Sequence, residues 1–152
     1  TSRKLALSSI FSWLFSEPNF EECISTSKEM LEEEGIDYDD ELTKFIVEGV
    51  RNHIDEIDKI IEECAPDWPI DKIAKIDLVI LRIAIFEALF GKKTPIKVVI
   101  DEAVEIAKEF GNDTSHKFVN GVMGTVVEKY LPSEKEKLPK EIFEKTDNLQ
   151  EY

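Results

Sequence analysis

The stretch PIDKIAKIDLVILRIAIFEALF, residues 69–90, decides how the rest of the chain must fold. From Ile76 to Phe90 its only charges are Asp77, Arg82 and Glu87, spaced five residues apart. A five-residue step on a helix turns the side chain by about 140°, so the three charges point in different directions and leave no polar face. A helix that is apolar all round must be surrounded, by lipid or by other helices. This run falls short of the roughly 20 uninterrupted apolar residues that a bilayer span needs. It reads as the central rod of a helical domain with the other segments as its sheath, and no membrane partner is expected.

Immediately before it, Ala65-Pro66-Asp67-Trp68-Pro69 is the clearest break in the chain, because each proline pushes its predecessor out of the helical region. Upstream, Leu7, Ile10, Phe11 and Leu14 keep helical spacing over residues 3–15, and Phe20, Cys23, Ile24, Met30 and Leu31 make a second stripe that ends at Gly35. A third helix should start near Asp39 and Asp40, whose carboxylates suit the positive end of the helix dipole, and keep one apolar face to Cys64. Gly49 on that face would admit a close neighbour, and His53 reads as a hydrogen-bonded core histidine. Downstream, Asp71 is the expected N-cap of the central helix and Gly91 its end. Thr94-Pro95 suggests an N-cap with proline at the first helical position. The helix it opens carries Val99, Ala103, Ile106 and Phe110 on its inner stripe and stops at Gly111. A polar connector, Asn112-Asp113-Thr114-Ser115, leads into a last helix through Tyr130, on which Gly121 and Gly124 read as a close helix contact. No strand alternation appears. The expected fold is all-α: about six or seven helices in one domain over residues 1–132, packed as sub-bundles over about 1–65 and 70–132. A polar tail follows over 133–152, with one short helix from Pro139 to Lys145.

The net charge of −14 is unevenly distributed. Residues 17–63 hold 17 acidic and 4 basic side chains, residues 64–132 hold 10 and 9, and residues 1–16 hold only Arg3 and Lys4. The acidity therefore belongs to one segment, as a solvated face or as a surface that repels nucleic acid and orients it elsewhere. The opening residues lack the pattern of a secretory signal, and Cys23 and Cys64 sit on apolar faces, so a cytoplasmic protein with buried thiols is expected.

Catalytic and metal-binding constellations are missing: no Gly-x-Ser-x-Gly elbow, His-Glu-x-x-His, Cys-x-x-Cys or Glu-x-x-His occurs. No enzyme activity, metal or cofactor is expected. The informative segment is FGNDTSHKFVNG, residues 110–121. A helix start there would offer unpaired backbone N–H groups to an anion, with Ser115, His116 and Lys117 adding a hydroxyl, an imidazole and an ammonium. A simple capping segment accounts for the same residues.

Three pieces, in order and at matching separations, resemble the NusB family of bacterial transcription antitermination factors. They are Ile80 to Glu87 (ILRIAIFE), Pro95 to Lys108 (PIKVVIDEAVEIAK), and Phe110-Gly111 with Ser115 to Gly121 (SHKFVNG). The strong likeness covers about 55 residues from Ile70 to Gly124. Residues 1–65 are similar in helical layout and in the pattern from Leu5-Ala6-Leu7 to Trp13. The resemblance implies an all-helical fold of two packed halves and a non-enzymatic role. Such proteins bind boxA-type single-stranded RNA together with the ribosomal protein NusE, within the RNA polymerase antitermination complex that reads through terminators in ribosomal RNA operons. Carried over residue by residue, it implies RNA contacts from Arg3, Lys4, Gly111, Ser115, His116 and Phe118, and a partner-facing position at Asp77.

Two departures follow. Family members open with several arginines where this chain has Arg3 and Lys4, so fewer phosphates would be neutralised and the salt dependence should be shallower. Thr114 stands where many relatives carry an acidic residue. Two alternatives stay open: a protein-interaction module with weakened RNA binding, and a relative of the RNA-binding domain that precedes some ribosomal RNA cytosine methyltransferases.

Overall fold

The computed structural model describes Arg3, Lys4, Ala6, Leu7 and residues 40–140 of the chain. Arg3, Lys4, Ala6 and Leu7 are helical, as expected for 3–15; the rest of that helix, the helix expected over 20–31, the thiol of Cys23 and most of the short helix expected over 139–145 lie outside the described residues. Four α-helices are complete among the described residues: α1 (Asp40–Cys64), α2 (Lys75–Ile85), α3 (Ile96–Phe110) and α4 (Ser115–Tyr130). Among the described residues there is no strand, and no helix is long and apolar enough to cross a membrane.

The central run is surrounded as its composition requires, since every residue from Asp77 to Ala88 is buried. Its local geometry differs from the expected single helix. Residues Ile70–Lys72 form a 3-10 turn, Ile73 and Ala74 are extended, and α2 starts at Lys75 with no side-chain cap. Asp71 is thus not the N-cap: the chain steps sideways at Ile73, whose side chain is drawn into the core. After Ile85 the helix widens into a π-helical segment, Phe86–Gly91, which closes on Lys92 in the left-handed conformation (φ 54°). The three charges of the run are all buried, and two have partners far away in sequence. Arg82 donates two hydrogen bonds to Asp58 on α1, each 2.9 Å. Glu87 accepts two from Arg3, each also 2.9 Å. Burying a charge is tolerable only when it is paired in this way.

The long amphipathic pattern of residues 40–64 gives α1, with Ile46, Val47, Val50, Ile57 and Ile61 fully buried. Gly49 admits a neighbour as expected: a Cβ there would lie 2.0 Å from Cζ of Phe86. At His53 the backbone leaves helical values (φ −117°, ψ 15°) and α1 kinks. His53 is half-buried, stacked on Phe90 with ring centroids 4.4 Å apart and reaching Glu56 at 3.4 Å. It lies at the edge of the core, where the kink turns it onto the aromatic face of the π-helical segment.

The turn at Ala65–Pro69 returns the chain across the bundle, and Trp68 packs edge-on against Phe118 of α4 (6.2 Å, 77°). Helices α3 and α4 pair most extensively, and both pack on α2. At the far end Lys129 donates to the carbonyl of Glu63, 3.1 Å away, and the Tyr130 hydroxyl donates to the Glu63 carboxylate, clamping the end of α4 to the end of α1. The segment after Leu131 is more ordered than its polarity suggests: Pro132–Lys137 is a 3-10 helix that seats Leu138 in the core.

Candidate nucleic-acid interface

Helix α3 ends and α4 begins within four residues, and a dense set of short-range hydrogen bonds fixes the turn. The Asn112 side-chain oxygen accepts from the Thr114 N–H (2.9 Å), the Thr114 hydroxyl (2.9 Å) and the Ser115 hydroxyl (3.2 Å). In return the Asn112 N–H donates to the Ser115 oxygen at 2.9 Å. The backbone N–H of Ser115 reaches the Asn112 carbonyl, and those of Lys117 and Phe118 both reach the Thr114 carbonyl. Gly111 is required by close approach: a Cβ there would meet Ser115 Cβ and Oγ at 2.4 Å and the Ala107 carbonyl at 2.7 Å.

This geometry redistributes the roles expected of the junction. The N–H groups of Ser115, Lys117 and Phe118 are already used within the turn, so the helix start is not the open anion site the sequence suggested. Ser115 is fully buried and Phe118 is 1% exposed, so neither has surface to offer RNA. Ser115 ties the turn together and Phe118 anchors α4 against Trp68. Gly111 is half-buried and shapes the turn by lacking a side chain. His116 is half-buried, whereas Lys117 is exposed and makes no ion pair among the described residues.

Phe110 is the residue that sequence reasoning misplaced. It continues the inner stripe of α3 by spacing, yet it is 47% exposed, at the last residue of α3 where the chain turns at Gly111. An exposed aromatic ring is what stacking against an unpaired base requires.

The side chains of the two basic residues at the chain start reach toward opposite ends of α3. Lys4 pairs with Glu109, 2.7 Å away and one residue before Phe110, so it adjoins the junction with its side chain 42% exposed. Arg3 turns inward, donating to both carboxylate oxygens of Glu87 and to the Thr94 hydroxyl at 3.3 Å. Thr94 therefore receives a hydrogen bond from Arg3 in place of the expected capping role, and Pro95 occupies the N-cap position of α3. Asp77, expected to face a partner, has no exposed surface. It sits in the first turn of α2 beneath the layers that cover the rod. Among the described residues no group of His, Cys, Asp and Glu could hold a metal ion.

Comparison with known proteins adds a family. The model of the NusB family matches residues 1–128. The transcription antitermination protein NusB of Clostridium novyi is 36% identical over 126 residues, which cover 83% of this chain and 95% of that protein. The corresponding protein of Chloroflexus aggregans is 54% identical over 93 residues, covering 60% of this chain and 62% of the relative's length. A crystal structure of antitermination factors NusB and NusE in complex with dsRNA is similar in fold. Its TM-score is 0.73 at 30% identity, over 85% of this chain and 95% of the matched one.

Proposed function

The chain belongs to the NusB family, and on that premise we propose that it is a non-enzymatic, RNA-binding transcription antitermination factor. It acts with the ribosomal protein NusE on boxA-type RNA and supports read-through in ribosomal RNA operons. The observation that carries this reading is the exposed Phe110 ring at the end of α3, with Lys4 paired to the neighbouring residue and Lys117 free to meet phosphate across the turn. Phe110 stacks on a base, Lys117 and Lys4 neutralise phosphates, and His116 donates or stacks. Lys4 exchanges Glu109 for phosphate on binding. Gly111, Ser115 and Phe118 contribute by fixing the turn, and Arg3 by holding the chain start in place. Asp77 contributes to a NusE-facing surface only by shaping the first turn of α2.

The test is the mobility of labelled boxA-type RNA with this protein and NusE. Phe110→Ala should weaken the complex by about 5- to 100-fold, the worth of one base–aromatic stack, with little loss of stability because the ring is exposed. Two lysines at the junction imply a log–log salt slope of about −1.4 for single-stranded RNA. Absence of any NusE-dependent shift at low salt would end the reading. The engagement of Arg3 with Glu87 and of Lys4 with Glu109 favours a second reading, a protein-interaction module with weak RNA affinity. A tight complex with NusE that is indifferent to RNA would select it.

A further inference from the structure

At the opposite end of α3 from the junction, the chain forms a groove that the RNA reading does not use. It is an open hollow of about 540 Å³ between the start of α3, the end of the π-helical segment and the 3-10 helix after α4. Its floor is aliphatic, built from Ala88, Ile96, Leu131 and Leu138, and three lysines rim it: Lys92, which makes no ion pair among the described residues, Lys97, paired with Asp101 at 2.9 Å, and Lys137, paired with Glu134 at 3.7 Å. Lys92 and Leu131 also line a second hollow of about 480 Å³, so the two adjoin at these residues.

Lys92 is the only residue other than glycine with a positive φ among the described residues. Glycine would occupy that helix end without strain, while a side chain there costs on the order of 1 kcal/mol. The chain nonetheless places a cation at this point, between the two hollows. On a protein of net charge −14, a lysine-rimmed groove is a local exception.

We propose that this groove is a docking site for an extended acidic peptide segment of a partner protein, its aliphatic side chains on the floor and its carboxylates on the lysine rim. Lys92 offers an unpaired cation, and the Lys97–Asp101 and Lys137–Glu134 pairs, each weak because it is open to water, can exchange their carboxylates for those of an occupant, so charge complementarity selects an acidic one. The lysine-rimmed hollow itself is lined by no aromatic ring on which a base could stack, so its aliphatic floor favours peptide there, while Phe90 and Tyr130 line the adjoining hollow and make nucleic acid the competitor the test includes. The length across two adjoining hollows suits an extended chain, with alternate side chains turned inward. Helix α3 has 15 residues and spans about 22 Å, so a peptide here leaves the Phe110 end open.

The experiment is fluorescence anisotropy on the full chain with three labelled probes: a ten-residue peptide of alternating glutamate and leucine, its lysine–leucine counterpart, and a ten-nucleotide uridine oligomer. The acidic peptide should bind at least about tenfold better than the basic one. Lys92→Gly should weaken it about fivefold, the worth of one rim charge, while leaving Tm unchanged or higher, because the strained backbone is relieved. Lys97→Glu should weaken it by at least as much. Boxa-type RNA binding should be unchanged in both variants, which separates this proposal from the RNA reading. Equal binding of acidic and basic peptides would overturn it, as would insensitivity to both substitutions or loss of uridine-oligomer binding in Lys92→Gly. A variant ending at Lys140 that binds the acidic peptide more than about tenfold tighter would also overturn it, in favour of the chain's own residues 141–152 as occupant.

Discussion

Replacing Arg3 by alanine should cost more stability than replacing Glu87 by glutamine, although both substitutions break the same ion pair. The Glu87 side chain is 4% exposed and that of Arg3 is 15% exposed. Without Arg3, the Glu87 carboxylate is left in the interior without its two charge-assisted hydrogen bonds. Leaving one partner of a buried pair uncompensated costs about 3–5 kcal/mol. Glutamine at position 87 keeps a carbonyl oxygen that accepts one of the two Arg3 hydrogen bonds, and Arg3 retains access to water at the chain start. The loss is then nearer the 1–2 kcal/mol of one charge-assisted bond. For a chain of this size each kcal/mol moves Tm by roughly 2–4 °C, so about 6–20 °C is expected for Arg3→Ala and about 2–8 °C for Glu87→Gln. The apolar double variant Arg3→Met/Glu87→Leu should recover most of the loss, because the desolvation cost disappears with the pair.

Thermal unfolding followed by circular dichroism at pH 7, with RNA binding measured on the same samples, decides between two roles for Arg3. As a latch, Arg3 affects RNA only through the position of the chain start, so Glu87→Gln and Arg3→Ala should weaken RNA binding in the order of their stability losses. If Arg3→Ala abolishes RNA binding at unchanged Tm while Glu87→Gln leaves it intact, Arg3 touches RNA directly and the latch argument fails.

Gly111→Ala should destabilise the chain by about 1–3 kcal/mol, since its Cβ collides with the Ala107 carbonyl and Ser115. RNA affinity should fall with it, and unchanged melting would mean the turn relaxes freely. Gly49→Ala gains up to ~1 kcal/mol of helix propensity but forces the Phe86 ring aside, for a net loss of about 1–2 kcal/mol. Phe86→Leu in the same chain should restore part of that loss in denaturant melts, and additive losses would show that the ring is not the obstacle. Burial pushes the Cys64 thiol up to about 11, with nearby Lys129 opposing and Glu63 adding to the rise. Its folded value lies above its unfolded value of about 9, so its contribution is complete below pH 9 and is lost as pH rises through about 11. Stability should therefore fall by up to about 2–3 kcal/mol more than in Cys64→Val over that window, measured by urea melts from pH 8 to 11.

What the sequence disclosed follows from how far each signal reaches. The buried rod, the bounds of α1 and the ends of α3 were legible because composition, periodicity and Gly or Pro punctuation act locally. The close approach at Gly49 was legible because a glycine on an apolar stripe has few other uses. The partners of the rod's charges were not, because Asp58 lies 24 residues from Arg82 and Arg3 lies 84 from Glu87. The π-helical widening after Ile85 leaves no mark in side-chain pattern. At the junction, hydroxyl, imidazole and aromatic groups suit both a capping turn and an RNA contact. Only burial separates Ser115 and Phe118, which hold the turn, from Phe110 and Lys117, which face solvent. Asp77 shows the same ambiguity, since an acid in a helix's first turn reads equally as a dipole partner or as a docking point.

The two ends of α3 should act nearly independently, even though adjacent residues at the chain start touch both. Arg3 reaches Thr94, which lines the lysine-rimmed groove, while Lys4 reaches Glu109 beside the RNA junction. Coupling between sites requires that a ligand at one end change the contacts available at the other. The link from Arg3 to Thr94 is a single hydrogen bond of 3.3 Å, whereas its hold on Glu87 is two of 2.9 Å, so an occupant of the groove can displace the former without loosening the latter. On the other side, Lys4–Glu109 is an exposed pair, worth at most about 1 kcal/mol, and its exchange for phosphate leaves Arg3 in place. The coupling should therefore stay below about 1 kcal/mol, less than about a fivefold change in acidic-peptide affinity on saturation with boxA-type RNA. A larger shift, abolished by Thr94→Val, would show that the chain start moves as one piece and that the two ends of α3 are read together.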